Sequence, residues 1–175
     1  MRNTTRKLVL SGLLVAVGLF LPFLTGQIPN IGSMLLPMHI PVLLAGFVVG
    51  PFWGALVGLV TPLLRHFTLS MPPLQTAITM TFELAAYGFL SGFFYSRLPK
   101  KPWRIFASLI IAMLGGRIVW ALVSLLQSQL LGASFTLKMF LSGAFLTAIP
   151  GIIVQLIVIP LIVVSLEKAH LIQES

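Results

Sequence analysis

The sequence predicts an all-α integral membrane protein: a single domain of six transmembrane helices with both termini in the cytoplasm. Three observations carry that prediction. Hydrophobic residues make up 58% and charged residues only 8% of the 175 residues, with a mean hydropathy of +1.07, whereas a soluble domain is about a quarter charged. From Met34 to Leu64 there is no Lys, Arg, Asp or Glu, and one helical crossing needs only about 20 apolar residues. The long apolar runs do not alternate with polar residues, which excludes a barrel of strands that alternate over about ten residues.

The first span is expected over residues 7–25. Its basic start, MRNTTRK, resembles that of a signal peptide. The apolar part, Leu8 to about Leu24, is longer than a signal core of roughly 7–15 residues, and no small-x-small site follows, so the segment is expected to stay as a helix. The polar stretch Gly26 to Ser33 is a loop marked by Gly and Pro. The uncharged run that follows is too long for one crossing, and Gly50-Pro51 and Gly54 break it near its middle. A proline lacks the amide proton and disfavours helix at the residue before it, so two short spans are expected, 35–49 and 52–64, with a tight turn between them.

His66 to Leu74 is too rich in proline to be helical throughout. A fourth span is expected over 76–95, and Ser96 to Arg104 forms a basic loop. A fifth span covers 105–128, and a sixth covers 136–166 with Pro150 and Pro160 inside it. Arg2, Arg6, Lys7, Arg97, Lys100, Lys101, Arg104 and Lys168 then fall on one side of the membrane, against Arg65 and Lys138 near the other. Cytoplasmic loops carry the excess of Lys and Arg, which puts both termini inside.

The net charge of +8 therefore reads as headgroup contact and orientation, and nucleic acid is not an expected partner. There is no cysteine, so disulfides and thiolate metal sites are excluded. No internal repeat stands out, which weighs against an inverted-repeat transporter that works alone.

Glu83 and Arg117 are the only charges deep within expected spans. Such a residue costs roughly 2.5–3.5 kcal/mol near a helix centre, so it is normally turned inward and is paired or functional. Two readings stand side by side: a pair that anchors a ligand, or a salt bridge that clamps helices four and five. Met80, Glu83 and Tyr87 share a helix face by their three- and four-residue spacing, and Trp120 and Ser124 lie on or near the face of Arg117. Trp120 reads equally as ordinary packing. Gln127 lies nearer the outer end of helix five. On helix six Phe140 and Thr147 are candidates, while Gln155 sits too deep. In the outer loop the candidates are Gln27 and Asn30, and His39 is placed at the outer end of helix two. A lone histidine is a poor metal case, and no metal is expected. No nucleophile set, Walker loop or dinucleotide fingerprint is present, so the chain is not expected to be an enzyme, nor to hydrolyse ATP itself. Gly12 and Ala16 give helix one a small-xxx-small surface for a neighbouring helix, which an internal contact would explain equally well.

Six spans in 175 residues carry several distinctive stretches. They are Gly12-xxx-Ala16, the segment LLPMHIPVLLAGFVVGPFWGALVGLVTPLLR, the MPPL of Met71 to Leu74, the FELAAYGFLSG of Phe82 to Gly92 and the GGRIVW of Gly115 to Trp120. Together they resemble the substrate-binding S components of energy-coupling factor (ECF) transporters over essentially the whole chain.

The resemblance implies a subunit in the bacterial plasma membrane that captures a B-type vitamin from outside. Its cavity would be built from the loop after helix one and from helices four to six. The resemblance further implies that Gly12 and Ala16 dock onto an EcfT-type transmembrane coupling subunit driven by two ATPases, with glycine standing where alanine is more usual. ATP would be used by those partners, and this chain would need no cofactor. Gln27, Asn30, Glu83, Tyr87, Arg117 and Trp120 fall in the regions that line the site. An unpaired Arg117 would suit a carboxylate and favour pantothenate, whereas an Arg117 neutralised by Glu83 would suit cobalamin or a pyridoxine-like compound equally. The alternative is a structural or assembly membrane protein with no transported ligand.

Overall fold

The computed structural model describes residues 2–25, 34–101, 103–131, 142 and 147–172. Among the described residues six α-helices follow one another: α1 (Arg2–Phe20), α2 (His39–Val49), α3 (Pro51–Leu69), α4 (Leu74–Arg97), α5 (Trp103–Leu131) and α6 (Ile149–Lys168), with a 3-10 turn at Leu21–Thr25. No strand occurs among the described residues.

Among the described residues five helical segments are long and apolar enough to cross a membrane: Thr4–Leu24, Pro51–Leu69, Leu74–Arg97, Trp103–Leu130 and Ile149–Lys168. The expected second span is the exception. Its helix α2 has 11 residues, about 16 Å at 1.5 Å per residue, roughly half of a 30 Å hydrocarbon core. α2 itself begins at His39, because Leu36 precedes Pro37 and leaves the helical region, taking a φ of 50° before a turn at Pro37 and Met38.

The other boundaries shift for equally local reasons. α3 continues past Leu64 to Leu69, with the Thr68 hydroxyl donating to the Leu64 carbonyl at 2.7 Å. It stops at Ser70, whose φ is 55°. α6 starts at Ile149, because Thr147 and Ala148 form a turn and Pro150 sits in the first helical turn, where its missing amide proton costs nothing. Pro150 therefore opens this helix and does not interrupt it.

α2 is the centre of the bundle. Nine of its residues are buried, from His39 to Val49, as expected of a helix that is apolar all round. It packs against α1, α3, α4 and α6. Backbones approach closely there because glycines face one another. A Cβ on Gly46 would lie 2.4 Å from the Gly88 carbonyl oxygen, one on Gly88 would lie 2.1 Å from that of Gly54, and one on Gly58 would lie 2.3 Å from that of Leu84. The four-residue spacings Gly54/Gly58 and Gly88/Gly92 line up small residues along one face of α3 and one of α4. Ser91 adds a bond across the seam, its hydroxyl donating to the Leu43 carbonyl at 3.2 Å.

Each end of the bundle is tied by polar contacts. At the basic end Arg6 Nη2 donates to the Leu171 carbonyl at 2.6 Å, which brings the first and last described helices together. Arg104 Nη2 donates to Glu167 Oε1 at 2.6 Å and to the Tyr95 hydroxyl at 3.0 Å, and the Tyr95 hydroxyl donates to the same carboxylate oxygen. This cluster joins the adjoining ends of α4, α5 and α6. At the opposite end the buried Arg65 donates to the Leu19 carbonyl and stacks 5.4 Å from the Phe23 ring, holding the end of α1 to α3.

Candidate functional site

Glu83 and Tyr87 lie one helical turn apart on α4 and therefore share a face. α5 meets that face at Gly115-Gly116-Arg117. A Cβ on Gly116 would lie 2.3 Å from a Tyr87 ring carbon, so the missing side chain is what lets the phenol lie against the α5 backbone. Arg117, the next residue, then reaches Glu83.

A single carboxylate oxygen gathers three groups. Glu83 Oε1 accepts from Arg117 Nη1 at 2.8 Å and from the Tyr87 hydroxyl at 3.1 Å, and His39 Nε2 lies 3.6 Å away. The His39 and Tyr87 rings are tilted against one another with centroids 5.3 Å apart. Glu83 and Tyr87 are 1% exposed, His39 is 2% and Arg117 is 6%. Burial on this scale is tolerated only because the opposite charges meet and their hydrogen bonds are largely made.

The set is not fully satisfied. Both ring nitrogens of His39 and Arg117 Nη2 have no hydrogen-bond partner, and neither does Nε2 of the buried Gln155. A gap of 3.6 Å is too long for a hydrogen bond, so His39 lies beside Glu83 without spending a ring nitrogen. Beside this cluster a cavity of about 190 Å³ lies between α5 and α6, lined by Ile110, Met113, Leu114, Arg117, Ile152 and Leu156. A second cavity of about 180 Å³ lies at the basic end between Arg6, Gly50 and Tyr95, away from the buried pair.

Of the residues singled out from sequence, the structure brings His39, Glu83, Tyr87 and Arg117 together. His39 is the first residue of α2, the end at which it was expected, and it lies buried beside Glu83 after the break at Leu36 to Met38. Gln127 is not in this group. It accepts from the Thr79 hydroxyl at 2.8 Å and donates to the Gln75 carbonyl at 3.1 Å, tying α5 to the first turns of α4. Trp120 is half-buried one turn beyond Arg117. Thr147 is half-buried just before α6, its amide donating to the Ser142 carbonyl at 2.9 Å. Gln27, Asn30 and Phe140 lie outside the described residues.

Gln155 belongs among the residues of interest, being 1% exposed with an orphaned amide nitrogen. The signal for it is an amide side chain within the apolar run Ile149 to Val164 of α6. On α1, Gly12 is exposed with no atom within 4 Å of the position its Cβ would take, and Ala16 is half-buried. The glycine of α1 that packs inward is Gly18, whose Cβ would lie 2.7 Å from a Thr61 methyl.

The family model for the ECF transporter, substrate-specific component, matches residues 6–163. The chain belongs to that family. The match spans α1 through most of α6 and takes in the whole buried cluster. No curated protein and no solved structure matched the sequence. As a substrate-specific component the chain is a multi-pass protein of the cell membrane and serves substrate uptake.

Proposed function

We propose that this substrate-specific component captures a small vitamin from outside the cell and releases it inward with an ATP-driven coupling module. That module consists of an EcfT-type transmembrane subunit and two ATPase subunits. The observation that carries the site is the buried set of His39, Glu83, Tyr87 and Arg117, which keeps unspent hydrogen-bonding groups in the middle of an apolar bundle. Polar groups in a membrane interior are costly and are retained where they bind or relay something.

The open face of α1 at Gly12, with Ala16 one turn on, supports the docking role: another helix can approach there without displacing anything. The gathering of Arg6, Lys7, Arg97, Lys100, Lys101 and Lys168 toward one end supports a cytoplasmic position for both termini. In this reading the loop that carries Gln27 and Asn30 forms the outer mouth. ATP is consumed by the partners, and the chain itself carries no nucleotide and no cofactor.

Arg117 is bonded to Glu83 at 2.8 Å, and with that charge neutralised pantothenate, cobalamin and a pyridoxine-like compound stand as equal candidates.

The test is affinity purification through this chain from cells that also express the coupling module, followed by uptake of labelled vitamins into vesicles. The expected result is that the coupling subunit and both ATPases copurify and that uptake needs ATP. Uptake by this chain with no partner, or a purified chain that no vitamin stabilises, contradicts the proposal.

A further inference from the structure

We infer that the cavity at the basic end of the bundle is a binding site for a phosphate-bearing anion, and that the headgroup of an anionic phospholipid occupies it. The cavity carries two cations, lies at the level of lipid headgroups and is bordered by exposed apolar side chains. It stands apart from the buried set around Glu83 and takes the same occupant whichever vitamin is carried.

Depth comes first. The membrane-span candidates Thr4–Leu24, Pro51–Leu69 and Leu74–Arg97 begin or end within a few residues of Arg6, Pro51 and Ser96, all of which line the cavity. The cavity therefore lies near the membrane surface. Trp103, exposed at the start of α5, marks the same level, since tryptophan is enriched at the membrane–water interface. Its neighbour Arg104 donates to the hydroxyl of Tyr95 in the cavity wall at 3.0 Å.

Charge comes next. Arg6 and Lys7 both line the cavity. Arg6 gives Nη2 to the Leu171 carbonyl at 2.6 Å, and a guanidinium has further N–H groups to donate. Lys7 has no hydrogen bond or ion pair among the described residues. Among those residues no carboxylate lines the cavity, and the two acids, Glu83 and Glu167, are already bonded to Arg117 and Arg104. The last turns of α2 and α4 also form the wall, but a helix C-terminus carries only about half a negative charge. Two full cations outweigh both, and the first turn of α3 at Pro51 opposes them.

Shape identifies the occupant. Gly50 turns the chain between α2 and α3 with a φ of 94°, and the position of its absent Cβ has no atom within 4 Å, so the turn leaves open space beside the cavity wall. The cavity measures about 180 Å³; at about 30 Å³ per water molecule that is roughly six waters, room for a phosphate group with its ester arm. Leu13, one turn beyond the lining residue Leu10, and Phe52, next to the lining residue Pro51, are exposed. A free phosphate leaves that apolar surface bare, whereas lipid tails cover it, and basic pockets between membrane helices are places where anionic headgroups bind.

The test uses purified full-length protein in a neutral detergent, titrated separately with phosphatidylglycerol, phosphatidylcholine and inorganic phosphate, and read by native mass spectrometry and thermal shift. Phosphatidylglycerol is expected to stay on as one retained lipid per chain and to raise the melting temperature, with phosphatidylcholine at least about tenfold weaker. Arg6→Gln with Lys7→Gln is expected to weaken phosphatidylglycerol about thirtyfold, each basic side chain beside an anionic headgroup being worth about a fivefold factor. Lys7→Gln alone keeps the Arg6–Leu171 bond and is expected to cost about fivefold. Lys100→Gln with Lys101→Gln removes the same charge outside the cavity wall and is expected to change binding by less than about twofold, because exposed charges are screened.

Phosphatidylcholine that binds as tightly as phosphatidylglycerol overturns the inference, as does a Lys7→Gln protein that holds the anionic lipid as wild type does. A loss at Lys100 and Lys101 equal to the loss at Arg6 and Lys7 also overturns it, because the attraction would then belong to a diffuse basic surface. Inorganic phosphate that matches the lipid's affinity and is lost with Lys7→Gln keeps the phosphate site but overturns the lipid as its occupant. Each of these outcomes leaves the uptake reading where it stands.

Discussion

Replacing Arg117 with methionine separates the two roles open to the Glu83–Arg117 pair. The carboxylate is 1% exposed and holds Arg117 Nη1 at 2.8 Å and the Tyr87 hydroxyl at 3.1 Å. Removing the guanidinium strands a buried anion with one neutral donor. Breaking a buried pair in this way costs about 3–5 kcal/mol, or about 6–20 °C in melting temperature for a chain of this size. The double variant Glu83→Gln with Arg117→Met leaves no buried charge and is expected to regain most of that loss, since an uncharged isosteric replacement of a buried pair is close to neutral.

The assay is thermal unfolding in detergent, with vitamin binding measured on the same samples. A site role predicts that the double variant recovers stability without recovering binding. A pure helix clamp predicts recovery of both. A single variant that loses less than about 1 kcal/mol, or a double variant whose loss equals the sum of the two singles, refutes the reasoning, because coupled neighbours are not additive.

Three further outcomes follow from particular contacts. Gly88→Ala drives a methyl to 2.1 Å from the Gly54 carbonyl oxygen, backbone that cannot step aside, and is expected to cost at least about 1–3 kcal/mol, read as early melting or loss of a monodisperse gel-filtration peak. Gly12→Leu meets no atom within 4 Å, so the isolated protein should melt within about 0.5 kcal/mol of wild type while copurification of the coupling subunit is lost. The chain has no cysteine, so single cysteines report sidedness cleanly. In intact cells Ser70→Cys should react with a membrane-impermeant maleimide and Lys100→Cys should not, and the reverse pattern inverts the topology.

Much of the fold was legible because lipid imposes simple rules on sequence. Composition alone gave an all-helical membrane protein, and the Gly50-Pro51 turn was visible as a break in an uncharged run. Glu83 and Arg117 stood out because charge inside a span is costly, and the structure pairs them as that cost requires. The depth of His39 was not legible. It depends on a three-residue break, Leu36 to Met38, after which α2 opens with His39 buried beside Glu83.

The glycine seam was written in plain four-residue spacing at Gly54/Gly58 and Gly88/Gly92. Spacing alone does not say which helix comes close: Gly12 and Ala16 share the same four-residue spacing, and the structure leaves the face of Gly12 open. Arg65 lies at the end opposite the basic cluster, as its position implies, but its burial against the end of α1 is not visible in the sequence. Glu167, one of only three acidic residues, has no sequence signal for its role, which is to gather Arg104 and Tyr95 from two other helices. Both side chains act across long sequence separations, which periodicity within one helix cannot reveal.

The most direct measurement of the central claim is native mass spectrometry of the gently purified wild-type protein beside the Glu83→Gln/Arg117→Met double variant. The account predicts one dissociable molecule of vitamin size on the wild type and none on a double variant of equal stability. A wild type that carries no such molecule, or a double variant that carries the same one at equal occupancy, would contradict it.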